Sequence, residues 1–237
     1  MATYVFIHGA WHGGWCWHRI AARLQRAMHR VVTPDLISLG RDRTPPGNVT
    51  LAQWTEQITS LVAAESEPVI LVGHSRGGIV LSEVAERVCE RVRTLVFVTA
   101  FLLESGRSVQ QAVAEDPQSL VGPALQVAED HLSVSIRDAA VRDAFYGQCS
   151  DADVLLARSL LVPEPLAPLA TPIRTTAARY GRVPRIYVEC TADRAITIAA
   201  QRRMQAAQPG TRRVTLDSDH SPFLSHSEAL AGMLAGL

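Results

Sequence analysis

The sequence predicts an α/β architecture, a mostly parallel central sheet with helices on both faces. Short apolar runs of β-branched and aromatic residues alternate with helical patterns along the chain. The length, 237 residues, suits one domain with a sizeable core better than two domains. The expected strands are Tyr4–Ile7, Val31–Thr33, Val69–Val72, Thr94–Val98, Ile186–Glu189 and Arg213–Leu216. Each is short and rich in β-branched or aromatic residues, as expected of strands covered on both faces. Helices are expected at Cys16–Met28, Leu51–Ala64, Ile79–Val88, Ile198–Ala206 and Ser225–Leu237. Thr50 or Asn48 suits the N-cap of the second, and Ser225 with Glu228 three residues later reads as a capping box for the last.

The alternation fails between Leu103 and Tyr180, where no convincing strand appears. Helical patterns at Arg137–Tyr146 and Ala152–Leu161 stand there, with prolines at 163, 165, 168 and 172. The expected organisation is a core made of residues 1–102 and 181–237, with 103–180 inserted as a helical cap. An insertion at the carboxyl end of a parallel strand lies where such sheets bind ligands. The proline cluster reads as the hinge of that cap.

Composition narrows the chemistry. All 23 Lys+Arg residues are arginine. Without an ε-amine there is no Schiff base, no Ser–Lys dyad and no Walker-type phosphate lysine. A formal net charge of +0 gives no electrostatic footprint for nucleic acid or an anionic membrane. Cys16, Cys89, Cys149 and Cys190 are widely spaced, so they read as buried apolar residues and not as a zinc site or disulfide framework. The N-terminus lacks a signal-peptide pattern and no apolar run reaches bilayer length, which together point to the cytoplasm.

The strongest local signal is Val69-Ile-Leu-Val-Gly73-His74-Ser75-Arg76-Gly77-Gly78-Ile79, a G-x-S-x-G between an apolar strand and a helix. The glycines let the chain pass through a sharp turn that lifts the Ser75 hydroxyl clear of the sheet. Serine needs a base, and in this arrangement an acid and then a histidine follow it along the chain. Of the histidines after Ser75, His131 falls in the cap and His226 within the last helix pattern. His220, in the loop after the last strand, can reach the serine. Asp193, after the preceding strand, is the acid that would orient His220; Asp217 and Asp219 lie too near it in sequence, and Glu189 lies within the strand. The first strand runs into His8-Gly9-Ala10-Trp11-His12-Gly13-Gly14. There the backbone N–H of Ala10, with that of Arg76, can converge on an acyl oxygen. His8 and His12 are expected to fix the loop by hydrogen bonds. With His18 they lack a partner carboxylate at helical spacing, so no metal is read.

These segments resemble the α/β-hydrolase fold, most closely its branch of plant methylesterases and hydroxynitrile lyases with their bacterial esterase relatives. The resemblance rests on HGAWHGGWCW, VGHSRGG, the TAF after the next strand, ECTADRAI and DSDHSPFLS, and extends to FYGQCSDADV in the cap. It implies a helical cap inserted after the sixth strand, with Ser75, Asp193 and His220 as a triad and the Ala10 and Arg76 N–H groups as the oxyanion hole. A homodimer is implied by the habit of the family. Lyase members carry threonine at the position of Gly9, commonly glutamate at His74, and lysine at Ser221; all three positions here match the esterase pattern. Arg76 departs from the apolar residue that plant members often place after the nucleophile, and its side chain must either find a partner or point outward.

The expected activity is therefore cofactor-independent hydrolysis of a small-molecule ester, hydrophobic or aromatic and of small to moderate size. Trp11, His74, Phe145 and Leu155 are the residues expected around that substrate, with the cap apolar from Leu155 to Leu161. The rival readings are cyanohydrin cleavage with the same triad and a non-catalytic ligand receptor on the same fold.

Overall fold

Period-two alternation along the first strand decides how the sheet is covered. In β1 (Thr3–Ile7), Tyr4 and Phe6 belong to one buried hydrophobic cluster, whereas Val5 and Ile7 belong to another. The computed structural model describes residues 1–237. After β1 it passes through a tight turn at Gly14–Trp17 into α1 (His18–Arg26), then β2 (Arg30–Val32), α2 (Leu51–Ala63), β3 (Val69–His74), α3 (Gly77–Val88) and β4 (Val92–Val98). An insertion follows, holding α4 (Val109–Ala114), β5 (Leu125–Val127), β6 (Ser133–Ile136), α5 (Asp138–Phe145), α6 (Asp151–Leu160), β7 (Glu164–Pro165) and α7 (Leu166–Ala170). The chain re-enters the sheet at β8 (Arg185–Cys190) and closes with α8 (Ile198–Ala207), β9 (Arg212–Leu216), α9 (Pro222–Ser225) and α10 (Ser227–Ala235).

The six sheet strands lie in the order β2-β1-β3-β4-β8-β9, and every pairing is parallel. Ile20 and Leu24 of α1 and Leu230 and Leu234 of α10 cover one face; α2, α3 and α8 cover the other. After β1 the chain steps outward to β2, then returns to the other side of β1 for β3. The carboxyl ends of β1 and β3 thus flank a reversal of strand order, where open α/β sheets bind ligands. No helix is long and apolar enough to cross a membrane.

Four local expectations change. The insertion leaves the sheet after its fourth strand in chain order and not its sixth, because β8 and β9 both follow it. It is also not purely helical: β5, β6 and β7 pair antiparallel into a small second sheet. Part of the proline cluster is strand and not loop, with Glu164 pairing with Val134 and Pro165 with Ser133. The last helix is broken at His226 (φ −128°), and Ser225 Oγ donates to Asp219 Oδ1 at 2.7 Å instead of capping α10. Thr50 does cap α2: its hydroxyl accepts from Gln53 N at 3.2 Å and its own N–H donates to Gln53 Oε1 at 2.8 Å.

Candidate active site

The turn from β3 into α3 holds the site together. Ser75 sits between the two elements with φ at +51°, a left-handed conformation that is strained for serine. The turn is possible because its flanks lack side chains. A Cβ on Gly73 would stand 2.1 Å from Leu81 Cδ2, and one on Gly78 2.3 Å from the Phe101 carbonyl oxygen. The second obstacle is backbone and cannot rotate away. Gly78→Ala is therefore expected to cost about 2–3 kcal/mol, the upper part of the range for a small-to-large change in a packed interior. At roughly 2–4 °C per kcal/mol for a chain of this size, Tm should fall by about 5–10 °C. An unchanged Tm by circular dichroism would mean that α3 does not pack as closely on the chain at Phe101 as described.

His220 and Asp193 come from the loops after β9 and β8. His220 Nδ1 lies 2.7 Å from Asp193 Oδ2, with both side chains essentially buried. The carboxylate is further held by the Thr99 hydroxyl on Oδ2 and by the N–H groups of Ala195 (2.6 Å) and Ile196 (3.0 Å) on Oδ1. Its rotamer is thereby fixed, and so is the imidazole plane it bonds. Asp219 has a different role. Its carboxylate accepts from Ser221 N at 3.1 Å and Gln148 N at 2.8 Å, fastening the His220 loop to the cap. Asp217 accepts from Thr191 Oγ1 at 2.7 Å, away from His220.

The histidines of the first loop do hydrogen-bond it into shape. His8 Nε2 accepts from Leu36 N at 3.1 Å, so its Nδ1–H donates to the Gly9 carbonyl at 2.9 Å. His12 Nδ1 donates to the Ala10 carbonyl at 2.6 Å, and its Nε2 accepts from Tyr146 OH at 2.6 Å. Each ring is used twice in its neutral form. Burial, reinforced by the Arg76 charge, pushes His8 down to about 3; burial alone carries most of the fall of His12 to about 4. The Ala10 and Arg76 N–H groups donate to no protein acceptor. Both residues line the same cavity as Ser75 and His220.

That cavity has a volume of about 390 Å³. Apart from Ser75, Arg76, Gln110 and His220, its wall is apolar, including Trp11, Phe101, Val134, Phe145 and Leu166. Two of the four expected substrate contacts, Trp11 and Phe145, are in that wall. The other two are not. Leu155 is 72% exposed because the buried stripe of α6 runs through Val154 and Ala157, which turns Leu155 outward to solvent. His74 lies behind the cavity, wholly buried, with Nε2 donating to the His220 carbonyl at 2.8 Å. Burial, with the neighbouring His220 charge, holds it well below the usual histidine range.

Glu164 was not singled out in the sequence, yet it is the partner of Arg76. Arg76 Nε donates to Glu164 Oε1 at 2.8 Å, and both side chains are almost fully buried. The guanidinium also stacks on Trp54, 4.3 Å from the ring centroid. The available signal was arithmetic of another kind: an acid between two prolines in an apolar stretch asks for a buried cation. Thr99 carries a second missed signal, a polar residue directly after an apolar strand, here with φ at +36°.

Residues 4–233 match the model of the Alpha/beta hydrolase family. The chain is 28% identical over 249 residues to a putative chloroplastic methylesterase 14 of Arabidopsis thaliana, covering 98% of this chain and 70% of the relative. Over 111 residues it is 45% identical to a carbendazim hydrolyzing esterase of a Nocardioides strain, 46% of each chain. Its structure superposes with a TM-score of 0.88 on a pyrethroid hydrolase from Sphingobium faniae, at 25% identity over 99% of this chain and 96% of the other.

Proposed function

This chain belongs to the alpha/beta hydrolase family, and from that premise we propose that it is a serine carboxylesterase acting on neutral, largely apolar esters of small to moderate size. One observation carries the reading. Ser75, held at φ +51°, faces the same cavity as His220, whose Nδ1 is bonded to the buried Asp193. In this reading His220 takes the Ser75 proton as the hydroxyl attacks the ester carbonyl. The Ala10 and Arg76 N–H groups receive the oxyanion, and Asp193 stabilises the imidazolium. Protonation by His220 releases the alcohol, and water repeats the sequence to free the acid. None of these steps needs a cofactor. The apolar wall supports substrates without charge, because a charged group there would lose its hydration for no partner. We place the protein in the cytoplasm, which suits four free cysteines.

Two features weigh against cyanohydrin cleavage. A lysine that could hold cyanide as an anion is missing at Ser221 and throughout the chain. A threonine at Gly9 would place its Cβ 2.7 Å from His74 Nδ1, so the buried imidazole would have to shift to admit the lyase residue. A fluorophosphonate probe is expected to label Ser75 and no other residue, while mandelonitrile yields no cyanide above the uncatalysed rate. Cyanide release at a rate matching ester hydrolysis would overturn the esterase reading in favour of the lyase. Failure of the probe to label Ser75 would favour the receptor.

A further inference from the structure

The peptide between Gly9 and Ala10 bears on a second role for Arg76. We propose that the Arg76 side chain and Glu164 are positioning residues that preset the oxyanion hole by locking the plane of that peptide. The inference rests on the esterase reading of the same site.

Every peptide bond in the chain is trans, and in a trans amide the C=O and N–H point in opposite directions. The Gly9 carbonyl receives two donors, Arg76 Nη2 at 2.9 Å and His8 Nδ1 at 2.9 Å. Holding that oxygen against the guanidinium turns the Ala10 N–H the other way, and Ala10 lines the cavity. The next amide is held as well. Trp11 N–H donates to Glu164 Oε2 at 2.9 Å, while Glu164 Oε1 accepts from Arg76 Nε. Trp11 has φ at +63°, a conformation a bulky side chain keeps only under external restraint. The loop thus closes a ring: Gly9 C=O to Arg76, Arg76 to Glu164, Glu164 to Trp11 N–H. The Ala10 N–H, between the two tethered groups, has no freedom to swing.

The same residue supplies both halves of the device. Arg76 offers its backbone N–H from one loop, and its side chain orients the Ala10 N–H in the other. Donors fixed before the charge develops stabilise it without reorganisation, which is where most of their catalytic value lies. Because Glu164 belongs to β7, the hole is also complete only when the inserted segment is seated. A purely structural ion pair would not need to touch the loop at two consecutive amides. Replacing such a buried pair by apolar side chains is often neutral or stabilising, so stability alone gives no reason for the charges.

The test uses the full chain with Arg76→Met and with the double change Arg76→Met, Glu164→Met. The single variant leaves a buried carboxylate, and the double variant removes that burden. In both, kcat on p-nitrophenyl butyrate should fall by about 10- to 100-fold, a fraction of the ~10²–10³ lost when a donor is deleted outright. KM should stay within about threefold if substrate binding is apolar and donor loss acts on the transition state. Affinity for a trifluoromethyl ketone, whose hemiketal adduct with the Ser75 hydroxyl bears the oxyanion once His220 has taken the serine proton, should fall in step with kcat/KM. Affinity for the matching methyl ketone should not. The double variant should recover much of the Tm that the single variant loses and still be slow. Wild-type kcat in the double variant, or equal loss of affinity for both ketones, would overturn the proposal. An unmodified protein inactive on every ester would instead overturn the esterase reading.

Discussion

Replacing Ser75 by alanine should reduce ester hydrolysis by at least about 10⁴-fold while Tm changes by no more than a few degrees. In a serine hydrolase the loss of the nucleophile alone costs as much as the loss of the whole triad, on the order of 10⁶ in kcat, and what survives comes from substrate binding and oxyanion stabilisation. The floor is set lower here because background hydrolysis of activated esters limits what an assay can resolve. Stability should barely respond. Alanine is as strained at φ +51° as serine, so the turn neither gains nor loses conformational energy. The approaches that make the turn possible, at Gly73 and Gly78, are untouched. The informative pair of measurements is kcat/KM on a p-nitrophenyl ester and thermal unfolding of the same sample. Turnover retained in a folded, homogeneous Ser75→Ala protein would remove the nucleophile assignment and with it the esterase reading.

The parts of the site readable from the sequence share one property: their chemistry constrains the chain locally. Ser75 announces itself because a left-handed serine next to a helix needs small neighbours, and Gly73, Gly77 and Gly78 stand at the required spacing. Asp193 and His220 follow from chain order and from the ends of β8 and β9, where a strand must stop and a loop begin. The inner strands were legible for the same reason, since a doubly covered strand is a nearly continuous apolar run. What escaped depends on distance along the chain or on helical phase. Glu164 meets Arg76 across 88 positions, and nothing near either residue encodes the other. Leu155 looks like a pocket residue in a list of apolar side chains; only the docking of α6 through Val154 and Ala157 turns it to solvent. The three strands of the small sheet are two to four residues long, too short for any period to show. His226 breaks the last helix because Asp219 draws Ser225 away from its cap, a tertiary competition that the capping pattern alone does not contain.

The largest effect of pH on stability should come from histidines, and it should appear below about pH 6.5. His8, His12 and His74 are all buried and neutral in the folded protein, with His8 at about 3, His12 at about 4 and His74 also held well below its usual range. Once unfolded, each returns to an ordinary value near 6.5. Between these limits the unfolded chain binds protons that the folded one refuses, so stability falls as pH falls. At pH 5 the penalty is about 2 kcal/mol for each of His8 and His12, from roughly 1.5 pH units at about 1.4 kcal/mol each. His74 acts in the same direction. Against a typical total of about 5–15 kcal/mol, this is a large share. Glu164 and Glu83, pushed up by burial, oppose the trend, because the folded state takes up their protons more readily as pH falls. Asp35, Asp42 and Glu189, all held low by hydrogen bonds and arginines, reinforce it only when carboxylates begin to titrate in the unfolded chain. Urea midpoints should therefore be nearly constant from pH 8 to 7 and fall steeply towards pH 5. Near pH 5.5 the slope should approach three protons, about 4 kcal/mol per pH unit. His12→Gln is the decisive variant: it forfeits hydrogen bonds to the loop and starts less stable at pH 8, yet its slope should drop by about one proton. A wild-type stability that is flat from pH 7 to 5, with the same slope in His12→Gln, would mean that these rings are protonated in the folded state. In that case Nε2 of His8 could not accept from Leu36 N, nor Nε2 of His12 from the Tyr146 hydroxyl, and the loop carrying the Ala10 N–H would have to be held in some other way.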